Sequence, residues 1–278
     1  MSAPFVSTDW LAAHLDDPNV VVVDGSWYLP TEQRDPQAEY LSGHIPGAVF
    51  FDLDGLADTS SGLPHMLMAP ADFADAAGRL GVGHGMRIVV YDGAGLFSAP
   101  RIAWTFRTMG AADVVLLEGG LPKWRAEGRP LETGEFSRAP QTFTPRFDPE
   151  DVADLEAMRR WVADGSRQIV DARPAARFAG SAPEPRPNTR SGHMPGAKSI
   201  PAMSVVENGT IKSPEAIRAA AKAAGVDLAR PIVTTCGSGV TAATLKLALE
   251  QAGATDVVLY DGSWAEWGGR SDTPVVTD

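Results

Sequence analysis

Ser191-Gly-His-Met-Pro-Gly-Ala197 is the second appearance of a heptad that the chain first spells as Ser42-Gly-His-Ile-Pro-Gly-Ala48. Its flanks repeat with it. Val21-Val-Val-Asp24 precedes the first copy and Gln168-Ile-Val-Asp171 the second. Leu80-Gly-Val82 returns as Ala224-Gly-Val226, and Glu118-Gly-Gly-Leu-Pro-Lys-Trp124 returns as Asp261-Gly-Ser-Trp-Ala-Glu-Trp267. The offsets are close to one another, so the chain is a duplication of one domain-sized unit and not a solenoid of short repeats.

Each copy alternates short β-branched runs with helical patterns. The first predicts strands near Val20–Val23, Val49–Phe51, Ile88–Tyr91 and Val114–Leu117, with helices near Pro70–Leu80 and Ser98–Met109. The second predicts strands near Ile169–Asp171, Ala197–Ile200, Ile232–Thr235 and Val257–Tyr260. Its helices are expected near Asp154–Ala163, Ser213–Ala224 and Thr241–Ala252, the last of them amphipathic. Ser213-Pro214-Glu215 has the form of an N-cap followed by a first-turn proline. Such alternation implies an α/β fold in which each domain is a mostly parallel sheet covered by helices on both faces. Sites in such folds lie at the carboxyl ends of strands. The stretch from about Pro130 to Glu150, rich in Pro, Thr, Ser and charge, reads as a connector. The expected domains are therefore 1–130 and 151–278, with a linker over 131–150.

Composition narrows the function. The 278 residues carry a formal charge of −11, which argues against a nucleic-acid or anionic-membrane footprint. No run approaches the roughly 18 apolar residues of a membrane span. The opening residues show no basic segment followed by an apolar stretch, so no signal peptide is read. A single cysteine excludes an internal disulfide and a cysteine-rich metal site, and it suits a reducing cytoplasm.

That cysteine, Cys236, follows the β-branched run Ile232-Val-Thr-Thr235 and precedes Gly-Ser-Gly and a helical pattern. Gly237 and Gly239 allow a tight curl, and a curled loop entering a helix aims several N–H groups at one point. Such dipoles favour a thiolate, the reactive form of cysteine. In the first copy Asp92 stands where Cys236 is expected, so one copy carries the chemistry and the other serves as scaffold. His44 and His193 sit before Pro-Gly in both copies and are read as turn-stabilising. Trp264 and Trp267 are read as core or cleft wall. Asp24 and Asp171 end their strands and are read as caps of the loops that follow.

Together the paired heptads, the cysteine loop and Tyr260-Asp-Gly-Ser-Trp-Ala-Glu-Trp267 resemble the tandem-domain rhodanese family of sulfurtransferases. The resemblance covers nearly the whole chain. Cys236-Gly-Ser-Gly-Val-Thr241 looks like the loop of the 3-mercaptopyruvate branch; thiosulfate-using members have basic residues where this chain has Gly237 and Ser238. The resemblance implies a Cys236 persulfide intermediate, with N–H groups from Gly237, Ser238, Gly239, Val240 and Thr241 stabilising negative sulfur. It implies no cofactor and no metal. It places two substrate arginines on Arg177, in Arg-Phe-Ala-Gly, and Arg186, in Pro-Glu-Pro-Arg, whose guanidinium forks suit a planar carboxylate. It also places a serine-protease-like relay on Asp54, His65 and Ser238. The implied partners are a small-molecule sulfur donor and an acceptor such as thioredoxin, a low-molecular-weight thiol or cyanide.

Three other readings compete. Thiosulfate as donor is the nearest. A phosphatase of related design needs Cys-x5-Arg, and Ala242 occupies the arginine position. A non-enzymatic sulfur carrier would load but never turn over.

Overall fold

The computed structural model describes residues 4–278, which divide into two compact units. The first takes the chain up to Asp58, then Leu67–Asp148 and Asn208–Thr210. The second takes Thr59–Met66, Pro149–Glu207 and Ile211–Asp278.

In the first unit, β1 (Phe5–Val6), β2 (Val20–Asp24), β3 (Ala48–Phe50), β4 (Arg87–Tyr91) and β5 (Asp113–Leu117) form one sheet. The strand order is β1-β5-β4-β2-β3 and every pairing is parallel. Its helices are α1 (Thr8–His14), α2 (Pro36–Ser42), α3 (Pro70–Arg79), α4 (Ala99–Thr108) and α5 (Gly120–Ala126).

The second unit repeats this plan. Its first strands are β6 (Val152–Ala153), β7 (Gln168–Asp171) and β8 (Lys198–Ser199). The short strands β9 (Val206–Glu207) and β10 (Thr210–Ile211) pair apart from the main sheet. With β11 (Ile232–Thr235) and β12 (Val257–Tyr260) the order is β6-β12-β11-β7-β8, again all parallel. The helices are α6 (Leu155–Asp164), α7 (Ala175–Phe178), α8 (Pro214–Ala223), α9 (Val240–Gln251) and α10 (Ser263–Trp267).

The β-branched runs form strands because they are enclosed: every residue of β2, β7, β11 and β12 is buried. Continuous burial is the mark of a central parallel strand, whose two faces both lie under helices. Each unit has its own core. In the first it includes Leu11, Val22, Val89, Val115 and Trp124; in the second it includes Met158, Ile169, Val233, Val258, Trp264 and Trp267.

The repeated motifs are the joints of the fold. His44 Nδ1 hydrogen-bonds the Tyr40 carbonyl at 2.8 Å and the ring stacks on Tyr40; His193 does the same with the Phe178 carbonyl at 2.9 Å and the Phe178 ring. Both backbones then pair with the segment that closes their unit, His44 with Glu132 and His193 with Val276. Trp124 and Trp267 donate to the carbonyls of Pro130 and Pro274. The heptad histidines are therefore turn-stabilising in both copies, and Trp264 and Trp267 are core residues.

Residues 131–148 fold with the first unit and are fastened to it. Gln141 N–H donates to the Gly78 carbonyl, Arg146 N–H to Met109 and Asp148 N–H to Thr108, and Phe143 packs edge-on against Phe73. Its prolines and polar residues therefore run along the first unit. One expectation needs correction: the helix after Cys236 is not amphipathic. Val240, Ala242, Ala243, Thr244, Leu245, Lys246, Leu247, Ala248 and Leu249 are all buried, so α9 is a central helix enclosed on most of its surface. Its lysine is tolerated because Lys246 Nζ meets Asp151 at 2.7 Å and Glu250 at 2.8 Å. Burial opposes that charge, and the two carboxylates overcome it, holding the lysine pKa above its ordinary value.

Candidate active site

β11 carries the chain to Cys236 at its carboxyl end, a residue only 2% exposed. Four residues later α9 begins at Val240, with Gly239 as its N-cap at φ 78°. That left-handed conformation favours glycine, and it turns the chain from strand to helix within a few residues. As N-cap, Gly239 has no side chain of its own to cap this helix. The backbone dipoles of the first turn are thus disposed toward the loop that holds the thiol.

Two arginines converge on that loop. A methyl group built on Gly237 would lie 3.2 Å from Nη2 of Arg177 and 3.8 Å from Nη1 of Arg186. Arg177, at the C-terminal end of α7, is oriented by Glu184, which accepts from its Nε at 3.2 Å and also from its Nη2. Glu184 is held in turn by Arg173, whose Nη1 donates to it at 2.7 Å. Arg173 is itself buried: it pairs with Asp171 at 2.7 Å, donates to the Gly192 carbonyl and lies over the Trp264 ring. Burial works against the Arg173 charge, and Asp171 and Glu184 more than offset it, so its pKa stands above the usual arginine value. The sequence singles out Arg177 and Arg186, both of which lie near Gly237, but not Arg173 and Glu184. The Asp171-x-Arg173 spacing, with Pro-Glu-Pro-Arg downstream, was the available signal.

Ser238 and His65 meet directly. His65 Nδ1 lies 3.0 Å from Ser238 Oγ and 3.3 Å from the Ser238 carbonyl oxygen. Both residues are buried. His65 belongs to the second unit although it lies in the first half of the sequence, because residues 59–66 fold with that unit. Its backbone is left-handed, φ 61°, which is uncommon for a residue with a side chain. Asp54, the third residue of the expected relay, belongs to the first unit, where its Oδ2 accepts from Trp27 Nε1 at 2.9 Å.

The far side of the loop is tied to α10. Trp264 N–H donates to the Cys236 carbonyl and Ala265 N–H to the Gly237 carbonyl, both at 2.9 Å. Cys236 N–H donates to Ser263 Oγ at 3.2 Å.

At the matching place in the first unit, Asp92 directly follows β4 and is fully buried. Its carboxylate accepts from the N–H groups of Ala94 at 2.9 Å, Phe97 at 2.7 Å, Ser98 at 2.9 Å and Ala99 at 2.8 Å. Asp24 and Asp171 cap the loops after their strands as expected, accepting from Ser26 N–H and Arg173 N–H, each at 2.9 Å.

A family model for the rhodanese-like domain matches twice, over residues 7–127 and 154–270. The chain belongs to the rhodanese-like domain family. Its relatives span its whole length. It is 45% identical to the 3-mercaptopyruvate sulfurtransferase of Escherichia coli, covering 98% of this chain and 97% of the relative. It is 42% identical to the mitochondrial thiosulfate/3-mercaptopyruvate sulfurtransferase 1 of Arabidopsis thaliana, covering 99% and 78%. In structure it resembles the crystal structure of the Escherichia coli 3-mercaptopyruvate sulfotransferase with a TM-score of 0.88, covering 95% of this chain and 99% of that one. These relatives are enzymes of sulfur transfer. Among the described residues, no helix is long and apolar enough to cross a membrane.

Proposed function

We propose that this protein is a 3-mercaptopyruvate sulfurtransferase that works through a persulfide on Cys236. The observation that carries the reading is the meeting of Arg177 and Arg186 at Gly237, beside a loop whose own side chains are uncharged. A monoanionic keto acid can lay its carboxylate and ketone against the two guanidinium groups and present its sulfur to the thiol. The Cys236 thiolate attacks that sulfur, a sulfur–sulfur bond forms and the carbon–sulfur bond breaks. Its electron pair stays on carbon as the enolate of pyruvate. The proton lost from the substrate thiol balances the enolate, and Ser238 with His65 at 3.0 Å forms a short path for it. The N–H groups of residues 237–241 stabilise the charge on sulfur before and after transfer.

The persulfide then needs an external nucleophile, since no second cysteine exists to discharge it. Thioredoxin, a small thiol or cyanide could each serve, in a reducing cytoplasmic setting. Thiosulfate is the second donor to weigh, because the Arabidopsis relative is named for both. A dianion gains from cations at the loop positions that Gly237 and Ser238 fill, so kcat/KM should favour 3-mercaptopyruvate. Steady-state kinetics with both donors under one acceptor test this. Mass analysis without acceptor should show one added sulfur on the wild type and none on Cys236→Ser. A preference for thiosulfate would overturn the donor assignment, and turnover by Cys236→Ser would overturn the mechanism.

A further inference from the structure

Ser263 opens α10 with its backbone in the left-handed region, φ 49°, and no part of it reaches solvent. Left-handed backbone is disfavoured for a residue with a Cβ, and when it persists at a functional site the surroundings hold it there. The duplication supplies a control. Aligning Asp261–Trp267 with Glu118–Trp124 pairs Ser263 with Gly120, whose φ is 54°. The same turn is thus built twice, with glycine in the unit that has Asp92 and with serine in the unit that has Cys236.

The serine hydroxyl explains the exchange. Ser263 Oγ accepts from Cys236 N–H at 3.2 Å and donates to the Tyr260 carbonyl at 2.8 Å. Together with the bond from Trp264 N–H to the Cys236 carbonyl at 2.9 Å, it fastens the cysteine backbone on both sides of its Cα. In the first unit the carbonyl bond recurs, Leu121 N–H to Asp92 at 3.1 Å, but glycine offers nothing to the amide. Serine could not replace that glycine without displacement: a Cβ on Gly120 would lie 2.6 Å from the Asp92 carbonyl oxygen and 2.8 Å from that of Gly95.

We propose that Ser263 is a positioning residue for Cys236, kept in an unfavourable backbone conformation because its hydroxyl fixes the Cα–Cβ direction of the reactive cysteine. This rests on the persulfide reading above. It adds that the geometry of attack is set from α10, behind the loop, and not only by the loop itself. Displacement of a reacting group by about 1 Å costs on the order of a hundredfold in rate.

The experiment compares full-length wild type, Ser263→Gly and Ser263→Ala. Glycine releases the strained φ and alanine keeps it; both remove the hydroxyl. Rapid-quench mass analysis with 3-mercaptopyruvate should show sulfur loading slowed by about ten- to a hundredfold in both variants. KM should stay within about twofold, because the arginines are untouched. The melting temperature of Ser263→Gly should exceed that of Ser263→Ala. In the wild type, the Cys236 amide should be protected from hydrogen exchange. Loading at the wild-type rate by Ser263→Gly would overturn the proposal, as would equal melting temperatures for the two variants or a rapidly exchanging Cys236 amide. Should the wild type itself load no sulfur, the persulfide reading falls instead.

Discussion

At the end of β4 the chain places a carboxylate, and at the end of β11 it places a thiol. The two strands sit at the same position in sheets of identical order. The loops that follow differ. Six residues separate Asp92 from the start of α4, and three separate Cys236 from the start of α9. The longer loop wraps its N–H groups around Asp92, so that unit contains its own anion and spends its dipoles on folding. The shorter loop enters its helix through Gly239, holds a thiol in place of the carboxylate and is flanked by Arg177 and Arg186. One scaffold thus encloses a carboxylate in one loop and sets a thiol beside two arginines in the other.

The strongest way to break that comparison is to move the thiol. Asp92→Cys in a Cys236→Ser background should give less than about a thousandth of wild-type sulfur transfer, because an activated nucleophile needs its surroundings as well as its atom. Recovery of substantial activity would show that the loops are interchangeable after all. Next in size is the arginine pair. Arg186→Ala should lower kcat/KM for 3-mercaptopyruvate by about ten- to a hundredfold, the loss of a charge-assisted hydrogen bond. An unchanged value would mean that the carboxylate binds elsewhere.

Asp92→Ala addresses the other loop. Four N–H groups lose their acceptor, and a destabilisation of about 2–4 kcal/mol is expected in urea denaturation. Sulfur loading at a temperature where the protein stays folded should hardly change. A neutral effect on stability would show that the carboxylate does not hold its loop.

The smallest effect concerns the paired strand-end aspartates. Asp171 has Arg173 beside it, whereas Asp24 has Ser26, whose N–H and hydroxyl both donate to it. Burial drives the Asp24 pKa above its ordinary value, and the Ser26 and Tyr91 hydrogen bonds only partly offset this. The fold then holds a proton that the unfolded chain releases at about 3.9. Its stabilising contribution is complete below that pH and is lost as pH rises through the raised value. Asp24→Asn should flatten the fall in stability on the alkaline side of pH 4, seen as a smaller change in denaturation midpoint with pH. An identical slope would place the proton elsewhere.

Much of this was legible in the sequence. The heptads and the Val-Val-Val-Asp and Gln-Ile-Val-Asp runs gave two copies and their central strands, because enclosed parallel strands write themselves as continuous β-branched runs. The cysteine loop and both arginines were legible as motifs. Elements of a few residues were not: β1, β6, α5 and α10 are too short to show a period; α5 and α10 bury Trp124, Trp264 and Trp267 in the cores, and β1 and β6 pair with β5 and β12. Glu184 and Arg173 each stand in a readable motif, but their contact does not show in the sequence, since only the fold brings residue 184 back to residue 173. Ser263 was hidden by its ordinariness, and what marks it is a dihedral angle and a sister glycine.

The eight residues Thr59–Met66 fold with the second unit, while Asn208–Thr210 fold with the first. A gene fused from two copies has thus traded threads between them, and neither half is now a whole. Severed after residue 148, the C-terminal fragment would keep its cysteine, serine and arginines but lose His65. It should be inert toward 3-mercaptopyruvate until mixed with the N-terminal fragment that carries the missing histidine.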